Sequence, residues 1–131
     1  MINSRDFDFS FSGLKTSVLR EVQKSNLTNL TNWTNLLAFE VQEAITDVLV
    51  EKTIRAAREK NVKSILLSGG VAANSRLREK IQEKCSVLSF KCSVPPPSLC
   101  TDNAAPIASC AFFNYKEVPW QKIQDNPSLM I

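Results

Sequence analysis

Histidine is absent from all 131 residues, which removes the side chain that most often binds a transition metal or exchanges a proton near neutral pH. The four cysteines, Cys85, Cys92, Cys100 and Cys110, include no Cys-x-x-Cys pair. Together these absences argue against a zinc site built from this chain alone. No apolar run reaches the roughly 18 residues that a membrane span needs, and the first residues lack the basic-then-apolar order of a secretion signal. With no such signal and with 44% hydrophobic residues to build a core, the cysteines are expected as free, partly buried thiols in a reducing, cytoplasmic setting. The Asn-x-Thr triplets at Asn26, Asn29 and Asn32 have glycosylation spacing, but without secretion they read as a polar, cap-rich loop.

Strong charge of one sign is missing too. The net charge is +3 with 22% charged residues, a mild surplus that permits transient RNA contact without showing it, because nucleic-acid binders concentrate basic residues on one face. Arg76, Arg78, Lys80 and Lys84 form the densest basic group and read as a solvated helix face. No internal repeat or low-complexity tract interrupts the chain, and its length suits a single domain.

What is present alternates between two periodicities. Gly13 to Lys24 reads as a helix capped by Ser12, with Leu14, Val18, Leu19 and Val22 on one face. The Asn- and Thr-rich Ser25 to Asn35 reads as a loop. Leu36 to Lys60 reads as a long helix whose core-facing stripe is Leu37, Val41, Ala44, Ile45, Val48 and Leu49, continued by Thr53, Ala56 and Ala57. Ser64 to Ser68 has the profile of a strand buried on both faces, Arg76 to Lys84 that of a helix, and Val87 to Cys92 that of a second strand. Pro95, Pro96 and Pro97 predict an extended connection to Thr101. A helix from Asn103 to about Tyr115 follows, with Pro106 tolerated if it lies early in that helix. Residues 116–131 read as a tail, with a short helical turn from Pro119. The order predicts an α/β fold, a sheet with helices packed on it.

The richest stretch is Ser68-Gly-Gly-Val-Ala-Ala-Asn-Ser-Arg-Leu-Arg78, where an apolar strand runs into two glycines and then a helix. Gly69 and Gly70 lack a Cβ, so the backbone can adopt positive φ and let a ring or phosphate approach. Asn74 and Ser75 offer N-caps, and the helix they open points its positive end at the same spot. An ordinary βα turn accounts for the same pattern. A second element, Cys100-Thr101-Asp102-Asn103, puts a carboxylate at a helix start, where it either caps the helix and faces a cation together or is an N-cap and nothing else.

Together with Asp8-Phe-Ser-Phe-Ser-Gly-Leu-Lys-Thr16 and Phe39 to Lys52, these segments resemble, in one order from about Asp6 to Phe113, the TsaD family of tRNA threonylcarbamoyltransferases, once described as O-sialoglycoprotein endopeptidases. The resemblance implies the C-terminal lobe of an actin-like ATPase (ASKHA) fold, so that residues 1–131 form a single partial domain. It also implies transfer of threonylcarbamoyl from its adenylate to N6 of adenosine 37 of tRNA. On the same basis Gly69 and Gly70 lie against the nucleoside, Asn74 hydrogen-bonds the adenylate, and Asp102 is a metal ligand. Ser12, Gly13 and Lys15 resemble residues near the nucleotide, and Glu43 either approaches the adenine or is an exposed helix carboxylate.

In the family the metal, iron or zinc, is held by paired histidines from a half that would precede residue 1. This chain, a deliberately shortened piece, a split-gene product or a truncated frame, is then expected to carry half a site and to be inactive alone. ATP or threonylcarbamoyl adenylate is its expected ligand. Its expected partners are tRNA, the pathway proteins and the missing N-terminal half, with no membrane. Unpaired strand edges also suggest self-association. The alternative is a non-catalytic nucleotide-binding or docking module of the same fold. A remnant of a sugar kinase or chaperone ATPase shares the fold but not Thr101-Asp102-Asn103. No nucleophile–base pair supports a peptidase.

Overall fold

A computed structural model of the chain describes residues 2–24 and 30–122. The elements are α1 (Ser12–Lys24), α2 (Leu30–Glu59), β1 (Ser64–Leu66), α3 (Ser75–Val87), β2 (Lys91–Ser93) and α4 (Ala104–Phe113). Short 3₁₀ turns at Gly70–Ala73, Pro97–Leu99 and Trp120–Lys122 punctuate them. β1 and β2 pair in parallel with Ile65 opposite Cys92, joined by α3 as a βαβ unit. Helices and a small parallel sheet in one unit bear out the α/β expectation.

The core forms where three periodic faces meet. Val50, Ile54 and Ala57 of α2, Leu77, Ile81 and Cys85 of α3, and Ile65 of β1 bury one another. Spacings of three and four keep each helical set on one face. Among the predicted stripe residues only Ala57 is buried; Leu37, Val41, Ile45, Val48 and Leu49 are half-buried and Ala44 is exposed. The seam turns toward Val50 and Ile54 because α3 packs there.

An ion-pair ladder runs beside this seam. Glu43, Asp47 and Glu51 stand one turn apart on α2 and face Arg76, Lys80 and Lys84, equally spaced on α3. Arg76 Nε reaches Glu43 Oε1 at 2.6 Å, Lys80 Nζ reaches Glu43 Oε2 at 2.9 Å and Asp47 Oδ1 at 2.6 Å, and Lys84 Nζ reaches Glu51 Oε1 at 2.7 Å. The pairs advance together along both helices, so α2 and α3 run in the same direction. Arg76, Lys80 and Lys84 are therefore interhelical contacts rather than a solvated face, while Arg78 of the same group bonds Ala72 O, Pro95 O and Cys100 Sγ. Glu43, with a side chain 19% exposed, is correspondingly not a free helix carboxylate. Hydrogen bonds from Arg76 and Lys80 hold its carboxyl at about 2. Burial would lower the Lys80 ammonium, but Asp47 and Glu43 outweigh it and the net shift is upward.

Several boundaries differ from expectation for identifiable reasons. α2 begins at Leu30, so Leu30 to Asn35, Asn32 included, belong to the helix; Asn26 and Asn29 lie outside the described residues. α3 runs on to Val87, because Leu88 packs on the core and the helix ends in a Schellman turn with Ser89 at φ 59° and Phe90 N–H donating to Cys85 O at 2.9 Å. β2 therefore starts at Lys91. α2 closes the same way, with Asn61 at φ 51° and Val62 N–H donating to Ala57 O at 3.0 Å. Pro97–Leu99 is a 3₁₀ turn rather than extended chain.

α1 starts at Ser12 itself: Lys15 N–H donates to Phe11 O, so Ser12 is not the cap, and its hydroxyl pairs with that of Ser10 at 3.0 Å. No α1 residue is buried; Leu14 and Val18 are half-buried, and Leu19 and Val22 are exposed. The lead before α1 is strapped to α2 by Lys52, whose side chain is 1% exposed and whose Nζ donates to Asp6 Oδ1 at 2.9 Å and to Asp8 O. Arg55 adds a bond to Asp6 O, and the Phe9 and Phe7 rings lie over the two cations. Of the predicted tail, the turn at Trp120–Lys122 is observed and residues 123–131 lie outside the described part.

One sheet face stays open. Ile65 points into the core while Leu66 is 77% exposed, so β1 is buried on one face only, contrary to expectation. α4 likewise buries nothing: Ile107, Phe112 and Phe113 are all more than 70% exposed. Parallel strands are ordinarily covered on both faces.

Glu43 titrates at about 2 in the fold against an ordinary 4.5, and Asp6, hydrogen-bonded by Lys52, at about 2 against 3.8. Both folded values are depressed, so the stability these groups contribute is complete above about pH 5 and is lost as pH falls from there toward about 2. The thermal midpoint by circular dichroism is expected to drop across that window. Glu43→Gln is expected to lower the midpoint near neutrality and flatten the acid slope, and an unchanged slope would clear the ladder of that role.

Candidate functional site at the glycine corner

The strand-to-helix corner is built from its backbone outward. β1 ends at Leu66, and Leu67 N–H still reaches Ser93 O at 3.0 Å, anchoring the corner to β2. Gly69 takes φ 84° and ψ 172°, a region closed to other residues, so glycine is required there. Gly70 does not have positive φ. A Cβ on either would meet no protein atom within 4 Å, which leaves that side of the corner open to a visitor.

The open side is one wall of a cavity of about 380 Å³, within the roughly 300–1,000 Å³ typical of small-molecule sites. Ser68, Gly69 and Gly70 form this wall; Thr101, Asp102 and Asn103 form the opposite one, and Leu99, Pro106 and Ile107 supply apolar surface. Asp102 does not cap α4. That task falls to Asn103, whose Oδ1 accepts from Ala105 N–H at 2.9 Å. Pro106, third in the helix, costs nothing there, since its missing N–H is one of the unpaired first-turn donors. Asp102 is exposed, and among the described residues no hydrogen bond or ion pair engages its carboxylate.

Of the sequence-predicted site residues, Gly69, Gly70 and Asp102 come together on this cavity. Asn74 does not line it: Oδ1 accepts from Leu77 N–H at 3.0 Å as the N-cap of α3, and Nδ2 donates to Gln42 Oε1 at 3.1 Å. Ser12, Gly13 and Lys15, on α1, are not among the lining residues either, and all three are exposed. Glu43 is engaged in the ladder. Two participants escaped sequence reading: Gln42, the partner of Asn74, and Arg78, which bonds Ala72 O, Pro95 O and Cys100 Sγ. A polar side chain on an amphipathic helix carries no sequence mark of an inward role.

The cavity sets glycine backbone beside the apolar surface of Leu99 and Ile107, with the Thr101 hydroxyl and the Asp102 carboxylate among its polar groups, the mixture of apolar wall and few polar groups common in small-molecule pockets. Among the residues lining the cavity, no hydroxyl or thiol other than that of Cys100, which meets the guanidinium of Arg78, is hydrogen-bonded to a basic side chain. Among the described residues no three His, Cys, Asp or Glu side chains cluster as a metal site, so Asp102 alone does not make one. A larger hollow of about 590 Å³ beside Arg55 and Arg58 is the gap under the N-terminal strap. Its alternating carboxylates and guanidiniums favour no single ligand charge. Among the described residues no helix is long and apolar enough to cross a membrane.

Asn74→Ala is expected to cost about 1 kcal/mol through loss of the cap, read as a lower urea midpoint. Asn74→Asp retains the acceptor, so it should recover most of that loss; equal losses would show that the Gln42 bond dominates.

Relatives bearing the name tRNA N6-adenosine threonylcarbamoyltransferase include one from Dehalococcoides mccartyi, 53% identical over 108 residues that cover 82% of this chain and 31% of the relative. The Persephonella marina relative is 48% identical over 120 residues, 89% of this chain and 33% of its own length. That of Thermosipho africanus is 44% identical over 117 residues, 89% and 35%. The chain thus spans about a third of the length of the curated relatives it matches. The family model for TsaD, tRNA N6-adenosine threonylcarbamoyltransferase, matches residues 2–109, and the chain belongs to that family.

Proposed function

We propose that this chain is the C-terminal portion of a tRNA N6-adenosine threonylcarbamoyltransferase, one lobe of an actin-like ATPase fold carrying the adenosine side of a divided site. The observation that carries the reading is the meeting of the Gly69–Gly70 corner with Asp102 across one cavity, with Asp102 free of capping duty. The glycine backbone then lies against the nucleoside of ATP or threonylcarbamoyl adenylate, and Leu99 and Ile107 exclude water from one side of it. Holding the donor in this way favours attack by N6 of adenosine 37 of tRNA. Asp102 gives one carboxylate to a divalent iron or zinc whose histidine ligands come from other polypeptide, so the chain alone is inactive. Asn74 contacts the adenylate only by giving up its Gln42 partner, and Ser12 and Gly13 reach the nucleotide only in the assembled enzyme. The setting is cytoplasmic.

The open face of β1 and the uncovered α4 support a surface that the N-terminal half covers, with the other pathway proteins and tRNA assembling on the completed enzyme. Without that half, self-association through the same surface is expected. The same exposed helix, together with the internal commitment of Asn74, favours a second reading, a docking module without chemistry.

Titration calorimetry of the chain with ATP and a divalent metal separates the two. Binding is expected, with Asp102→Ala abolishing its metal dependence and Asn74→Ala weakening it on the order of tenfold, as loss of a hydrogen bond predicts. A folded chain that binds no ATP, even when supplied with the N-terminal portion of a relative, would favour the docking module.

A further inference from the structure

We propose that Arg78 is a positioning residue that sets the distance between the Gly69–Gly70 corner and the loop bearing Asp102. Arg78 lies in the first turn of α3, and its half-buried guanidinium bonds in two directions. Nε donates to Ala72 O; Nη2 donates to Pro95 O at 2.6 Å and to Cys100 Sγ at 3.0 Å. Ala72, 1% exposed, follows Gly70 by two residues, and Cys100, 5% exposed, precedes Asp102 by two. One side chain thus joins both walls of the cavity from behind.

The loop has few other ties. Leu99 N–H and Cys100 N–H turn back to Pro96 O and Pro97 O, and Asn103 Nδ2 turns back to Ser98 O and Thr101 O. Among the described residues, the hydrogen bonds that link residues 95–103 to α3 come from Arg78. A guanidinium can do this because its donors sit in a rigid planar fork, so fixing one bond fixes the direction of the others. A lysine ammonium carries a single point of charge on a flexible stem and does not hold both walls at once.

Arg78→Lys and Arg78→Met test the role, with Cys100 and Cys85 as paired reporters. Cys85 lies on the same helix, 1% exposed in the core. Iodoacetamide labelling read by mass spectrometry is expected to modify Cys100 on the order of tenfold faster in both variants, the scale of one lost charged hydrogen bond, with Cys85 as slow as in the wild type. Equal acceleration of both thiols would mean that Arg78 only stabilises the fold, and no acceleration at Cys100 would mean that it does not hold the loop; either result overturns the proposal. The ligand arm rests on the nucleotide reading above: where the wild type binds ATP, both variants should bind on the order of tenfold more weakly, and unchanged affinity overturns the proposal. A wild type that binds no ATP counts against the nucleotide reading, and the thiol rates then decide the role of Arg78 by themselves.

Discussion

Everything in this chain hangs on the seam between α2 and α3. Val50, Ile54 and Ala57 press against Leu77, Ile81 and Cys85, and the apolar contact is the main stabilising term, since it removes those faces from water. The ladder from Glu43 to Lys84 adds less, because its Lys84–Glu51 end is half-exposed and screened and its largely buried Lys80–Glu43 pair loses hydration. What the ladder adds is register: three carboxylates and three cations at matched spacing meet in one alignment. A slip of one turn would leave Glu43 or Lys84 without its partner. With α3 fixed, β1 and β2 are fixed at its two ends, and the glycine corner and the Asp102 loop follow.

The parts of the structure legible in the sequence were those where local and tertiary preferences agree. Asn74 before an apolar period announced α3, and the aliphatic run to Ser68 announced β1. The apolar run after Asn103 announced α4, although the cap was expected at Asp102 and is Asn103. Legibility failed where packing overrode composition. The Asn-rich segment before Leu36 looked like loop, yet Trp33 and Leu37 continue the helical period of α2 and keep residues from Leu30 onward in the helix. Val87 and Leu88 looked like strand, yet Leu88 packs on the core and draws them into the end of α3. The basic residues of α3 looked solvated because charge alone does not reveal that an acidic row on another helix lies opposite.

At the site the same division holds. Gly69 was marked by residue type, since positive φ is a rare demand, whereas Gly70, without positive φ, and Asp102, which leaves the cap to Asn103, line the cavity through the placement of their neighbours. Arg78 and Gln42 were not so marked, because their roles are relational: each matters only through a partner that the fold brings near. Asn74 shows the ambiguity from the other side. A residue able to cap a helix and to bind a ligand does the first here, with Oδ1 on Leu77 and Nδ2 on Gln42.

The strap at the N-terminus carries a consequence for the order of folding. The βαβ unit closes over short sequence distances, whereas the Lys52–Asp6 bond spans 46 residues and α1 has no buried side chain to draw it in. Closing the longer loop costs more entropy, offset by the few bonds that Lys52 and Arg55 make to the lead and by the two ring contacts. The strap is therefore expected to close after the βαβ unit and to open before it. Amide protons of the lead and α1 will exchange with solvent through local opening while the seam stays shut, so one small chain holds two tiers of stability joined at a buried lysine.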